Sequence, residues 1–381
     1  SRIGVSVTHV CFIEDTHLHG GTQIWVTEAV RVFLAKGHEV TLLTPSGGFV
    51  ARDGVTTDAR VVTYGFDDVV SEDVAHQNLW IDALAAADVA VCTVHPPRDG
   101  FHCSRFAARC IEQAGLSTVL QPKTGTIVPE YLREFYAPPE DINYQVISIT
   151  DFTRHYLIEH YGIPAERMSL IYQGTDVATF TPNAERAERA RLAYVLPDGA
   201  FPVLGNLGSF EHRKGQVGLL EAVARIRSGL PDVYLLLVGD GPDEGLLRAK
   251  VGQLGLQDHV EFHPFTRTPA DVFEIVDVLG LPGHYEEGLP NVLPEAMSMG
   301  LPVVSSRLAG TPEVVHEGQT GLLVEPGDIA GLAAAIERLG VDRDSARAMG
   351  GAGRRLMTTG FDKEHQFDAF LEHFAGHSPS R

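Results

Sequence analysis

One alternation, run twice, constrains this 381-residue chain more than any other feature. Short β-branched segments alternate with helix-patterned ones through the first half, and a second alternation of the same kind starts at Pro202. A parallel strand can be re-entered only after a crossover long enough to hold a helix, so the pattern predicts parallel sheets with crossover helices. In the first half, segments 3–9, 39–44, 89–94, 117–120 and 145–149 read as strands. Segment 20–35 reads as an amphipathic helix, and 151–161 as a helix ended by Gly162 and Pro164. In the second half the strand candidates are 201–207, 233–238, 260–263, 278–281, 302–305 and 321–324. The polar, arginine- and alanine-rich stretch 183–193 reads as the connector and hinge. The expected class is α/β: two doubly wound Rossmann-like domains, at 1–182 and 200–358, with a linker at 183–199 and a helical tail at 359–381.

Composition narrows the partners. The formal net charge is −20, which disfavours nucleic acid and anionic membrane, since both select basic faces. Residues 1–190 carry 14 Lys and Arg against 24 Asp and Glu, so the acidity is not confined to one half. Hydrophobic content of 44% is ordinary for a soluble protein, and no apolar run is long enough to cross a bilayer. The start, SRIGVSVTHVCFIED, reads as a strand and not as a signal peptide. Cys11, Cys92, Cys103 and Cys110 do not have zinc spacing and read as reduced, mostly buried thiols of a cytoplasmic protein.

The chemistry concentrates at EEGLPNVLPEA, 286–296. It sets Glu287 and Glu295 eight positions apart around a Gly-Leu-Pro-Asn loop, so that two carboxylates can face one cavity from two directions. Behind it come MSMGLPVV, GTPEVV and TGLLV. Upstream, Gly20 and Gly21 precede the first helix, where a glycine pair lets the backbone approach a phosphate at the helix's positive end. Segment 208–216, GSFEHRKGQ, places Arg213 and Lys214 before a glycine. By contrast, GDGPDEG at 239–245 fails as a dinucleotide fingerprint, because its spacing is G-x-G-x-x-x-G and Pro242 would interrupt the helix start.

Together these segments resemble the retaining glycosyltransferases of family 4, which have the GT-B fold and use nucleotide-diphosphate sugars. The resemblance implies two Rossmann-like domains facing each other across a cleft, with the tail returning to the N-terminal, acceptor-side domain. It also implies donor-binding roles for Gly20, Gly21, Arg213, Lys214, His263, Phe265, Glu287, Gly288, Leu289, Pro290, Asn291 and Glu295. Within that set Lys214 grips the diphosphate, Glu295 the ribose diol and Glu287 the hexose. The backbone of 288–291 donates to sugar or phosphates, and 263–265 meets the base. The family's first phosphate-binding Arg is replaced here by Ser209, leaving Arg213 or backbone donors to compensate. Where many relatives place a sugar-facing His, this chain has QPKT at 121–124, with Lys123 its only cation. His95 ends a strand and is the favoured catalytic histidine beside Lys214 and Glu287, ahead of His9, His17, His19 and His102.

The implied reaction is metal-independent hexosyl transfer with retention, from a nucleotide-diphosphate sugar (a UDP-sugar favoured) to a soluble small-molecule acceptor. Acidic pairs such as Asp67-Asp68 suit a cationic aminocyclitol natural-product precursor, and a free sugar or sugar phosphate is equally compatible. No D-x-D motif stands at a strand end, no cofactor is implied, and same-face attack is favoured over double displacement because Glu295 is committed to the ribose. The alternatives are a GT-B nucleotide-sugar 2-epimerase or hydrolase acting without acceptor, and a silent binding protein.

Overall fold

The structure, a computed structural model, describes residues 8–15, 21–48, 50–51, 58–65, 73–93, 103–125, 142–285 and 288–377. It divides into two compact units: Ser1–Tyr172 with Gln366–Arg381, and Gln173–His365.

The N-terminal unit is built on a parallel sheet of β1 (His9–Ile13), β2 (Glu39–Pro45), β3 (Arg60–Tyr64), β4 (Val89–Thr93), β5 (Val119–Thr124), β6 (Val146–Ser148) and β7 (Met168–Leu170). Its strand order is β3-β2-β1-β4-β5-β6-β7, so the direction of winding reverses between β1 and β4. The connecting helices are α1 (Gly21–Ala35), α2 (Val74–Ala85), α3 (Cys103–Gln113) and α4 (Asp151–Tyr161). Alternation along β1 shows why both faces are covered. Cys11 and Ile13 join a core with Trp80 and Phe106, while Val10 and Phe12 join one with Trp25 and Phe33. Phe367, Phe370 and Phe374, spaced along one face of the helix Lys363–His377, complete the second core. The Trp25 indole Nε1 donates to Gln366 Oε1 at 3.3 Å, fixing that helix to α1. The four cysteines are buried and free of disulfides, and burial pushes the Cys11 thiol up to about 12.

The C-terminal unit repeats the plan with β8 (Val203–Leu207), β9 (Tyr234–Val238), β10 (Val260–His263), β11 (Val278–Leu281), β12 (Val303–Ser306) and β13 (Leu322–Val324). The order is β10-β9-β8-β11-β12-β13, reversing between β8 and β11. The helices are α5 (Ala184–Ala193), α6 (Gln216–Ile226), α7 (Glu244–Leu254), α8 (Pro269–Phe273), α9 (Val292–Ser298), α10 (Thr311–Val314), α11 (Ile329–Val341) and α12 (Arg343–Gly360). Leu235, Leu237 and Val278 face α6, α7 and α11 from one side of the sheet; Leu236, Val238 and Leu279 face α8 and α9 from the other.

The boundary differs from the expected one. It falls between Tyr172 and Gln173, and the stretch 183–199 belongs to the C-terminal unit. Residues 183–193 are no hinge: Asn183 caps α5 by accepting from Arg186 N at 2.8 Å. Ala187 and Ala190, three apart on one face, are buried. Arg186 forms a mostly buried ion pair with Glu274 on the C-terminal side of α8, Nη2 to Oε1 at 2.7 Å. At the far end the C-terminal unit runs to His365, past the expected limit at 358, because Thr175 N donates to Phe361 O and Lys363 N to Thr175 O.

Candidate functional site

At the carboxyl edge of the C-terminal sheet, β8 ends in Asn206 and Leu207 and the chain turns through 208–215 into α6. His212–Lys214 form a single 3-10 turn, and Gly215 follows at φ 72°. A Cβ at Gly215 would lie 1.9 Å from the Pro282 carbonyl oxygen, so the turn is pressed onto the loop after β11 and only glycine fits. His284 N donates to Arg213 O at 2.8 Å across the same contact. Gln216, the buried first residue of α6, donates Nε2 to Ser209 O at 2.9 Å and ties the start of the loop to its end.

This locked loop presents Lys214 to a small cavity of about 30 Å³ at the β8/β11 switch point, room for a water or two. The floor is polar. Asn206 donates Nδ2 to Gly280 O at 2.8 Å, but its buried Oδ1 has no partner, and neither has the buried Ser306 hydroxyl. Gln216, Val292 and Thr311, the first residues of α6, α9 and α10, also line it. The first N–H groups of α6, which precede its bond from Leu219 N to Gly215 O, and Lys214 make the place suited to an anion. Helix α10 adds none, since Thr311 N donates to Leu308 O and Glu313 N to Gly310 O. Arg213 is engaged differently: its Nε lies 2.7 Å from Glu211 Oε2. The Glu211 carboxyl sits below its ordinary range. Burial pushes it up, and hydrogen bonds from Ser209 and Arg213 with the charges of Arg213 and Lys214 outweigh that. Ser209, standing where the family pattern has arginine, therefore serves Glu211.

Of the expected donor residues, Lys214 and Pro290 line the cavity. Pro290 has no N–H to give. Gly288 accepts from Gly310 N at 3.1 Å, Leu289 is buried in the core, and the Asn291 side chain accepts from Gln173 Nε2. Glu295 occupies the first turn of α9, half-buried. His263 and Phe265 lie elsewhere, at the end of β10, the edge strand two places from β8. His263 Nε2 is 2.8 Å from Glu261 Oε1 and its ring packs on Tyr194, while Phe265 is 53% exposed. Gly21 opens α1 in the N-terminal unit. Gly20, Glu287 and His95, with His17, His19 and His102, lie outside the described residues. The sequence reading missed Asn206, Gln216, Ser306 and Thr311. The available signal was polar residues closing otherwise apolar strands (VLGNL, VVSS).

The carboxyl edge of the N-terminal sheet carries its own polar set. Glu14, after β1, is buried: its Oε1 accepts from Gln23 Nε2 at 3.1 Å and its carbonyl from Tyr64 Oη at 2.7 Å. Lys123, near the end of β5, is 7% exposed and lies with Nζ 4.0 Å from the Trp25 ring centroid. Burial alone lowers its amine to about 7. Among the described residues no group of three His, Cys, Asp or Glu side chains could hold a metal ion, and no helix is long and apolar enough to cross a membrane.

A doubly wound unit with a lysine, a glycine-locked turn and the start of α6 at its switch point belongs to the α/β class of proteins that hold ligands there. The comparisons with known proteins narrow it. The profile described as Glycosyltransferase Family 4 matches residues 19–179, and that described as Glycosyl transferases group 1 matches 195–356. A 2-deoxystreptamine glucosyltransferase of Streptomyces kanamyceticus is 30% identical over 302 residues, covering 78% of this chain and 74% of that one. A GDP-mannose-dependent alpha-(1-6)-phosphatidylinositol monomannoside mannosyltransferase of Mycolicibacterium smegmatis is 34% identical over 218 residues, and the chain spans only 56% of its length. The solved Anabaena protein HepE, in complex with UDP and glucose, shares the fold at TM-score 0.82 and 19% identity, covering 97% of this chain and 100% of that one. The chain belongs to the GT-B glycosyltransferases of family 4.

Proposed function

We propose that this protein transfers a hexosyl group from a nucleoside-diphosphate sugar to a hydroxyl of a soluble small sugar or aminocyclitol, with retention of anomeric configuration. The observation that carries the reading is Lys214, held by the Gly215 turn over the cavity where α6 begins. As the glycosidic bond breaks, negative charge builds on the departing diphosphate. Lys214 and the first N–H groups of α6 are already aimed at that place, so they stabilise the transition state without rearranging. This supplies the leaving-group stabilisation for which other enzymes use a metal ion. Glu295, at the start of α9, offers two acceptor oxygens to a ribose diol. With Glu295 so engaged, we favour attack from the departing side, the leaving phosphate oxygen taking the acceptor's proton. A UDP-sugar is the working donor, and GDP-mannose, carried in one relative's name, is its rival. Transfer is preferred to 2-epimerisation because the relatives named above are transferases.

Thermal unfolding with UDP, GDP, ADP and dTDP tests this. One diphosphate at a hundredfold excess over its Kd should add about 2.7 kcal/mol, several degrees in Tm, and Glu295→Ala should lose most of the gain. Stabilisation by none of the four would remove the donor site and the transferase reading with it.

A further inference from the structure

Three polar side chains on adjacent strands of the N-terminal sheet share one unmet need. Thr93, the last residue of β4, is 3% exposed and its hydroxyl makes no hydrogen bond among the described residues. Lys123 stands directly beside it in the β4–β5 register and has no ion pair among the described residues. Gln121, two residues earlier on the same face of β5, is fully buried with both amide atoms unpaired. Across the indole on which Lys123 rests, Gln366 gives its Oε1 to Trp25 and leaves its buried Nε2 without a partner. Folded proteins leave few buried polar groups unpaired, and a buried amine without an anion is costly. A concentration of them in one place therefore calls for something that binds there.

All four side chains can donate a hydrogen bond. An ammonium, a hydroxyl and two amide NH₂ groups are wrong for a metal ion and right for a group rich in lone pairs. An oxygen anion also matches the lysine's charge, which a neutral hydroxyl does not. The position agrees, since ligands of doubly wound sheets sit outside the carboxyl ends of the strands, where Thr93 and Lys123 stand.

We propose that the carboxyl ends of β4 and β5 form an oxyanion subsite, in which Lys123 and Thr93 bind a phosphate or carboxylate carried by the acceptor. This rests on the reading that the N-terminal unit holds the acceptor. Among the acceptors left open above, it selects a sugar phosphate over a free sugar or a bare aminocyclitol, and it adds a sugar acid to them. The Trp25 face supports the ammonium from one side and the anion completes it from the other. Burial holds this amine near 7, with no charged group among the described residues of β4, β6, α1 or the C-terminal helix contributing. An arriving anion therefore draws a proton onto Lys123 at neutral pH.

Lys36, Lys123, Lys214, Lys250 and Lys363 are the chain's only lysines, so isotope-labelled lysine gives one NMR signal for each in the intact protein. The Lys123 signal is identified by its ring-current displacement over Trp25 and by its loss in Lys123→Met. Inorganic phosphate, or acetate if the natural group is a carboxylate, should raise the Lys123 titration midpoint by about one unit or more. Lys36 and Lys250 should not respond. Thr93→Val should raise the phosphate concentration at half-effect by about fivefold, the worth of one hydrogen bond. If that variant does not fold, the wild-type titration still decides. A midpoint indifferent to both anions would mean that water alone fills the cluster, and the subsite would be abandoned. A midpoint moved only by UDP or GDP would make Lys123 a donor contact and equally overturn it. The Lys214 signal, read in the same spectra with UDP and GDP, reports separately on the donor reading.

Discussion

Each unit reverses its winding in the middle of a parallel sheet and sets a lysine at the carboxyl edge, yet the two lysines are held in opposite ways. Lys214 is half-buried on a loop pinned at three points: Gly215 pressed on Pro282, Arg213 O accepting from His284 N, and Ser209 O accepting from the Gln216 side chain. Lys123 grows from a strand, buried over an indole, with unpaired neighbours and an amine lowered to about 7. The two stand at different places in the strand order, Lys214 after β8 and Lys123 in β5, and burial lowers the Lys123 amine. A lysine on a pinned loop suits a diphosphate that must be met at a set position. A buried strand lysine suits a group whose arrival sets the charge.

The comparison breaks most readily at Gly215. Gly215→Ala combines a left-handed backbone with a Cβ 1.9 Å from a carbonyl oxygen, and neither partner is a flexible side chain. We expect about 3 kcal/mol of lost stability, roughly 6–12 °C in Tm for a unit of this size, read by thermal unfolding. A drop of under a degree would mean that the loop is not locked as described. Next comes Lys214→Met, which should leave Tm without ligand nearly unchanged while turnover falls about a hundredfold, the effect of removing one oxyanion donor. Kinetics with the donor found by thermal shift would check this, and near-normal turnover would move the diphosphate contact elsewhere.

The smallest effect sharpens the contrast from the other side. Lys123 titrates near 7 when folded against an ordinary 10.5, so between those values the unfolded chain binds more protons than the folded one. Stability must then rise with pH across that window; the contribution is complete above 10.5 and lost as pH falls towards 7. The slope is at most about 1.4 kcal/mol per pH unit. Urea unfolding of wild type and Lys123→Met at about pH 7, 8 and 9 isolates it, since other titrations cancel in the difference. Equal slopes would show that the amine is solvated after all.

Legibility in the sequence followed the same division between local and distant causes. Strands β8 to β13 read clearly because a strand buried on both faces is a short apolar run closed by glycine or a polar pair. Strand β3 went unread: an edge strand, it leaves Arg60, Val61 and Thr63 exposed and has little apolar pattern. Helix α5 was mistaken for a connector because only two alanines face the core, and its anchor, Glu274, lies 88 positions beyond Arg186. In the site, the turn around Lys214 was legible from its glycine. That Asn206 shares a cavity with Ser306 was not, since strand order brings them together and sequence order does not. Lys123 was visible as a cation near a strand end, but its burial depends on Trp25, almost a hundred residues earlier.

The aromatic helix that closes the N-terminal core has a consequence for biosynthesis. Phe367, Phe370 and Phe374 leave the ribosome only after the whole of Gln173–His365 has been made. At ordinary elongation rates that is a wait of roughly 10–40 s. Through that interval the faces of Trp25 and Phe33 that these rings later cover are bare, an apolar surface open to chaperones and to self-association. The C-terminal unit, contiguous in sequence, is free to fold as it emerges. The half of the protein that is synthesised first is therefore the half that is finished last.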